Sequence, residues 1–188
     1  MVDAVVQAAC QPIVASNGTT KQPNYLIDCY CGSGLFALQV AASMKSVIGI
    51  EVNERAIEEA TANAQLNHIT NAQFVAASAE AIFTATLNTT MTTDEYHETV
   101  SDLPSDETVV VVDPPRKGCS EEFLQQLYEF APQRIVYMSC GPATQARDAK
   151  GIIEVGGYAI TSIQPFDLFP QTKHIESLIV FEKKIQST

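Results

Sequence analysis

A thiol, Cys140, ends the apolar run Arg134-Ile-Val-Tyr-Met-Ser139, and a carboxylate, Glu176, follows 36 positions later in Phe169-Pro-Gln-Thr-Lys-His-Ile-Glu176. A thiolate is a nucleophile, so a thiol at the carboxyl end of a strand, paired with a carboxylate, suggests covalent chemistry on a bound substrate. Taken singly, a cysteine ending a strand is more often a small buried hydrophobe, and a lone loop glutamate is more often solvated. Cys119 is the rival thiol: at the start of a helix its pKa could be lowered, although the reading here is structural.

A second constellation concerns ligand binding. Asp28-Cys-Tyr-Cys-Gly-Ser-Gly34 joins a strand to a helix, where glycines let the backbone approach a ligand and the helix start offers free N–H groups. The spacing is GxG, because Ala37 stands where a dinucleotide fingerprint has its third glycine. Glu51 ends the next strand, about 20 residues on, where an acid can accept hydrogen bonds from a ribose diol. This pattern points to an adenosyl ligand without a pyrophosphate site; the alternative is a structural turn with a capping glutamate. Downstream, Asp113-Pro-Pro-Arg-Lys-Gly118 follows a wholly apolar run. Two prolines fix an extended turn and withdraw two N–H donors, presenting Asp113 at a strand's carboxyl end, where open α/β sheets bind ligands. Asp113 could instead cap a helix or fix the loop, and Arg116 and Lys117 are either solvated or available to phosphate.

The elements that must hold these residues alternate in type. Strands are expected at Tyr25–Asp28, Ser46–Glu51, Ala72–Ala76, Thr108–Asp113 and Arg134–Ser139, with helices at 34–44, 53–67, 121–130 and 142–155. That alternation is the signature of βαβ units and a parallel sheet. Two more strands, Tyr158–Gln164 and Ser177–Glu182, close the chain. Residues 4–15 suit a helix and 16–23 a turn-rich connector, so 1–24 reads as a helix and linker before a catalytic domain over 25–188. The Thr-rich, acidic stretch 84–107 has no clear period and reads as a surface insertion.

With 188 residues, 46% of them hydrophobic, the chain can bury one substantial core. Five cysteines with no CxxC or Cys/His spacing argue against a disulfide framework or a metal site. No stretch approaches bilayer length, and the first residues lack a signal pattern, so an intracellular, cytoplasmic monomer is expected. The net charge of −11 is the wrong sign for a free-standing nucleic-acid binder, whose affinity comes largely from Lys and Arg on phosphates.

Four motifs in order, Asp28-x-Tyr30-Cys-Gly32-x-Gly34, Asp113-Pro-Pro-Arg-Lys-Gly118, Ser139-Cys140-x-Pro142 and Phe169-Pro-Gln-Thr-x-His174-x-Glu176, resemble the catalytic domain of the RNA (uracil-5-)-methyltransferases, in the tRNA-modifying branch. The resemblance covers the chain from about residue 25 to the end. It implies a Rossmann-like class I α/β fold, mostly parallel with an antiparallel strand near the carboxyl end, and S-adenosyl-L-methionine as cofactor. It implies RNA, tRNA in particular, as substrate, methylated at uracil carbon 5. In that light Cys140 is the nucleophile and Glu176 the base. Asp28, Tyr30, Gly32, Gly34, Glu51 and Asp113 are assigned to the cofactor, and Asp113, Arg116 and His174 to the substrate. The 5-methylcytosine enzymes place a cysteine directly after the proline of an Asp-x-Pro element, where this chain has Pro115 and Arg116. A cytosine-5 or other RNA methyltransferase, and a cofactor-binding module that does not turn over alone, are the alternatives. The chain also departs from the pattern: Gly141 follows the thiol where Asn is common, and neither a Phe-Gln strand, a basic β-barrel nor an iron–sulfur cysteine cluster precedes the motifs. The expectation is a catalytic fragment lacking its RNA-binding half, which would account for the acidic charge.

Overall fold

The computed structural model describes residues 1–14, 18–84 and 100–184. Along them the elements run α1 (Val2–Cys10), β1 (Ile13–Val14), β2 (Thr20–Lys21), β3 (Tyr25–Cys29), α2 (Leu35–Val40), β4 (Ser46–Glu51), α3 (Glu54–Leu66) and β5 (Ala72–Ala76). They continue as β6 (Thr108–Val112), α4 (Glu121–Phe130), β7 (Arg134–Ser139), α5 (Pro142–Glu154), β8 (Tyr158–Phe166) and β9 (Glu176–Lys183). Seven strands form one sheet in the order β5-β4-β3-β6-β7-β9-β8. β3 to β7 pair in parallel, and β9 runs antiparallel to both neighbours. The expected mostly parallel α/β sheet with an antiparallel strand near the carboxyl end is therefore present.

Apolar runs become central strands because both faces are covered. Every residue of β3, β6 and β7 is buried. Alternate side chains separate into two cores, as the period of two in a strand demands. Ile27, Cys29, Val110, Val112, Ile135 and Tyr137 pack with Phe123 and Leu127 of α4 and Ile152 of α5. Leu26, Val109, Val111, Val136 and Met138 pack with Val5 of α1 and Phe36 and Val40 of α2.

Local chemistry starts and stops the helices. Asn53 caps α3 by accepting from the N–H groups of Arg55 and Ala56, and Ser120 caps α4 by accepting from that of Phe123. Pro142 stands in the first turn of α5, where its missing N–H is harmless.

Two sequence readings need adjustment. The connector over 16–23 contains one half of a short hairpin, β1–β2, paired Ile13 to Lys21 and Val14 to Thr20. Of the segment read as a surface insertion, 85–99 lies outside the described residues, but Val100 and Leu103 at its end are buried beside Ile82, Phe83 and Phe123. These two apolar side chains are tucked in by short 3-10 turns, which a hydrophobic period does not reveal.

The amino-terminal segment is tied to the sheet by one side chain. Arg134, 2% exposed at the start of β7, donates to the carbonyls of Ala8, Gln11 and Pro12 and pairs with Glu182 at 2.6 Å. Removing the guanidinium would leave three carbonyls and a carboxylate without their donor. Arg134→Leu is expected to destabilise the fold by about 3 kcal/mol, the lower end for breaking a buried pair because Glu182 remains partly exposed. Urea unfolding measures this, and a loss below about 1 kcal/mol would remove Arg134 from this role.

Candidate active site

The strand order reverses direction beside β3: the chain runs outward through β4 and β5, then returns to place β6 on the other side of β3. Beyond the carboxyl ends of such strands α/β sheets leave a crevice. Here a cavity of about 440 Å³ opens there, lined by Tyr30 after β3, Glu51 and Val52 at β4, Ala77 and Ser78 after β5, and Asp113, Pro115 and Lys117 after β6. The size is within the usual range for small-molecule sites.

The glycine loop is shaped by backbone conformations that favour glycine. Tyr30, Gly32 and Gly34 have φ of 63°, 53° and 87°. A β-carbon on Gly34 would lie 2.9 Å from the Phe74 ring, so a side chain is excluded there by space as well as by conformation. Glu51 braces the loop: its carboxylate accepts from the N–H of Asn53 at 3.0 Å and of Gly32 at 3.4 Å. Asp28 holds it from beneath. Fully buried, it accepts from the Ala37 N–H at 2.9 Å with one oxygen, while its other oxygen has no protein partner. Burial pushes its carboxyl up to about 7.

Of the residues assigned to the cofactor, Tyr30, Glu51 and Asp113 line this cavity; Asp28, Gly32 and Gly34 shape the loop beside it. Sequence reasoning passed over Val52, Ala77 and Ser78, and read Lys117 as a cation for phosphate rather than as part of this lining. The only signal of the first three was position, one or two residues past a strand's carboxyl end.

The thiol and the two carboxylates occupy the ends of adjacent strands. β7 pairs with β9 as far as Ser139 opposite Ser177, so Cys140 and Glu176 each adjoin that last pair at the same end of the two strands. β6, on the other side of β7, ends at Val112 opposite Tyr137, with Asp113 next. Asp113 and Glu176 are close enough to repel: burial first, then the charge of Glu176, raises the Asp113 carboxyl to about 6. Cys140 is half-buried.

One helical turn of α5 holds the elements bearing these groups. The buried Gln145 amide donates to the carbonyls of Tyr137 on β7, at 2.9 Å, and Ser177 on β9, at 3.0 Å. The buried Asp148 accepts from the Cys119 N–H at 2.9 Å and the Tyr137 hydroxyl at 2.7 Å. Arg147 pairs with Asp148 and donates to the carbonyls of Lys117 and Cys119, while the Thr144 hydroxyl donates to that of Arg116. The loop after Asp113 is thus fastened at three of four residues, Arg116, Lys117 and Cys119.

Cys119 belongs to this network. It is buried, its thiol lies 3.7 Å from the Tyr137 hydroxyl, and burial pushes it up to about 12, so it stays protonated and unreactive near neutrality. Arg116 and His174 meet on the outside, with guanidinium Nη2 3.2 Å from imidazole Nδ1. A guanidinium has no acceptor, so the Arg116 N–H is the donor in this contact. Among the described residues no group of three or more His, Cys, Asp or Glu could hold a metal ion, and no helix is long and apolar enough to cross a membrane.

Comparison with known proteins decides the family. The profile described as tRNA (Uracil-5-)-methyltransferase matches residues 8–184. The chain belongs to that family. Within it, the chain is 41% identical over 168 residues to the tRNA (uracil(54)-C(5))-methyltransferase of Schizosaccharomyces pombe, a match covering 88% of this chain and 29% of that protein. The corresponding enzyme of Saccharomyces cerevisiae is 36% identical over 172 residues, covering 89% and 25%. The crystal structure of Pyrococcus abyssi tRNA (uracil-54, C5)-methyltransferase in complex with S-adenosyl-L-homocysteine aligns with a TM-score of 0.70 at 28% identity, over 96% of this chain and 36% of that one. The fold is that of the class I S-adenosylmethionine-dependent methyltransferases. The chain spans about a quarter to a third of the length of these enzymes.

The raised Asp113 carboxyl has a consequence for stability. Its folded value of about 6 lies above the ordinary 3.8, so the protonated form favours the fold; that contribution is complete below 3.8 and is lost as pH rises through 6. Asp113→Asn, which keeps the shape without the charge, is expected to be more stable than the parent at pH 7 by about 1–2 kcal/mol, a two-unit shift discounted for partial exposure. The difference should vanish near pH 4. Denaturant melts of both proteins from pH 4 to 8 check it, and a variant less stable at pH 7 would contradict the assignment.

Proposed function

We propose that this chain is the catalytic part of an S-adenosylmethionine-dependent enzyme that methylates carbon 5 of a uridine in tRNA. The supporting observation is that Cys140 and Glu176 each adjoin Ser139–Ser177, the last residue pair of β7 and β9, with Asp113 following β6 and within reach of the Glu176 charge. The cavity suits an adenosyl ligand. Glu51, at the end of β4, would accept from the ribose hydroxyls, Ile50, Val52 and Ile82 offer apolar surface to the base, and the Tyr30–Gly34 loop and Asp113 would hold the amino-acid end. S-adenosylmethionine, when bound, supplies an electrophilic methyl group.

Carbon 5 of uracil is a weak nucleophile. The Cys140 thiolate remedies this by adding to carbon 6: a sulfur–carbon bond forms, the ring double bond opens, and the electrons move through carbon 5 onto oxygen 4 as an enolate. Carbon 5 is then able to take the methyl group. It still carries a proton, which the Glu176 carboxylate removes; the electrons left behind re-form the ring double bond and expel Cys140 as thiolate. Asp113, whose carboxyl burial and the charge of Glu176 raise to about 6, would contact the substrate as well as the cofactor. A base inside a stacked RNA cannot meet a thiol at a sheet end, so the uridine must leave its stack. We place the activity in the cytoplasm and on a monomer.

The chemistry makes separable demands on the two residues. With tRNA containing 5-fluorouridine and S-adenosylmethionine, the chain is expected to form a stable adduct through Cys140, because fluorine cannot leave carbon 5 as a proton does. Cys140→Ala should form none. With ordinary tRNA, Glu176→Gln should accumulate a methylated protein–RNA adduct, since addition and transfer proceed but proton removal does not. Denaturing gels and mass spectrometry of the linked peptide read these outcomes. An adduct persisting in the Cys140 variant, or mapping to Cys119, would overturn the nucleophile; rapid turnover by the Glu176 variant would overturn the base.

A further inference from the structure

The chain carries 11 Lys and Arg against 22 Asp and Glu. Most of its cations are occupied internally. Lys21 is held by Asp106 and Glu107, Arg55 by Glu59, Arg134 by Glu182 and Arg147 by Asp148. Lys183 donates to the Gly156 carbonyl, and Lys45 lies over the Tyr25 ring. Five others are Arg116, Lys117, Lys150, Lys173 and Lys184. Three of these, Arg116, Lys117 and Lys173, are exposed on the two loops that flank Cys140 and Glu176, one after β6 and the other between β8 and β9. Lys117 feels the nearby charge of Glu80, and the Arg116–His174 contact joins the two loops.

The β8–β9 loop also exposes apolar surface. Leu168, Phe169 and Ile175 are 45%, 55% and 46% exposed within eight residues. Single exposed apolar residues are ordinary, but three on one short loop beside a catalytic thiol are a patch. The loop is ordered by its own hydrogen bonds: the Phe169 carbonyl accepts from both the N–H and the hydroxyl of Thr172, and the Thr172 hydroxyl accepts from the His174 N–H. Phe169 is therefore presented on a formed turn.

We propose that these two loops are the surface on which the RNA strand flanking the target uridine lies, with its phosphates on Arg116, Lys117 and Lys173 and one base stacked on Phe169. The proposal rests on the RNA reading above and adds where the strand runs. Charge complementarity favours it. On a protein of net charge −11, a cationic cluster at one end repels a polyanion least there and orients its approach. Cations with an exposed aromatic ring are the combination that binds single strands, phosphates by charge and bases by stacking. A guanidinium has five N–H donors, so Arg116 can take a phosphate on one edge while His174 keeps the other.

Charge and stacking respond differently to salt, which gives the test. Fluorescence anisotropy of a short single-stranded uridine-rich RNA is measured with this chain at several low salt concentrations. Lys173→Gln should weaken binding several-fold and flatten the plot of log K against log salt by about 0.7, the loss of one phosphate contact on a single strand. Phe169→Ala should weaken binding by about fivefold or more at every salt concentration and leave the slope unchanged. Lys184→Gln, at the opposite end of the sheet, should alter neither. Wild-type affinity in both the Lys173 and Phe169 variants, or equal losses in the Lys173 and Lys184 variants, would overturn the surface while leaving the fluorouridine adduct to judge the reaction separately. Adduct formation with tRNA but no RNA affinity dependent on either loop would refute this inference alone.

Discussion

The arrangement depends on β9 entering the sheet between β7 and β8, antiparallel to both. Parallel strands all deliver their carboxyl ends to one edge, so a parallel sheet presents its last residues there and buries its first ones at the other. An antiparallel strand begins where its neighbours end. Glu176, the first residue of β9, therefore reaches the edge that β6 and β7 supply with Asp113 and Cys140. Side chains alternate along a strand, so a slip of one residue between β7 and β9 would send Glu176 to the opposite face from the thiol. Six pairs fix the register, and Gln145 secures its end by donating to a carbonyl on each strand.

Two halves of one edge then divide the work. The ends of β3, β4 and β5 form the walls of the cavity, and the ends of β7 and β9 bear the proposed reactive pair; β6 lies between, and Asp113 after it lines the cavity and feels the charge of Glu176. That position costs Asp113 part of its ease of ionisation, through burial and through Glu176. Helix α5 connects the halves, because residues that follow Cys140 by four to eight positions hold the Pro-Pro loop, β7 and β9 together. Asp148 illustrates how a buried carboxylate earns its place by satisfying several donors at once, here a backbone N–H, a phenol and a guanidinium.

Much of the fold was legible because its signals are local. Uninterrupted apolar runs such as Thr108–Val112 mark strands covered on both faces, and Asn53, Ser120 and Pro142 mark helix starts. The family's motifs named Cys140 and Glu176, but nothing in a run of residues states that β9 is inserted between β7 and β8; that order is settled by long-range pairing. For the same reason the burial of Val100 and Leu103 and the hairpin of Ile13 with Lys21 escaped the reading. Asp28 shows a different limit. An acid at the head of a glycine loop reads as a ligand contact, yet its carboxylate turns inward to the Ala37 N–H. Which way a side chain turns at a strand end depends on the donors folded around it. The lining residues Ala77 and Ser78 carried no chemical mark until the strand ends converged.

The pairing of β7 with β9 at the edge that bears Cys140 and Glu176 can be tested without substrate or cofactor. Residues opposite each other on antiparallel strands hold their β-carbons about 4.5–5.5 Å apart, and the near end of that range meets the upper limit of about 4.5 Å for a disulfide. Glu176→Cys, oxidised mildly in the folded state, is predicted to give a disulfide between the introduced thiol and Cys140, seen by mass spectrometry of unreduced peptides, with Cys119 still free. An introduced thiol that stays free, or that joins any other cysteine, would contradict the register on which the account rests.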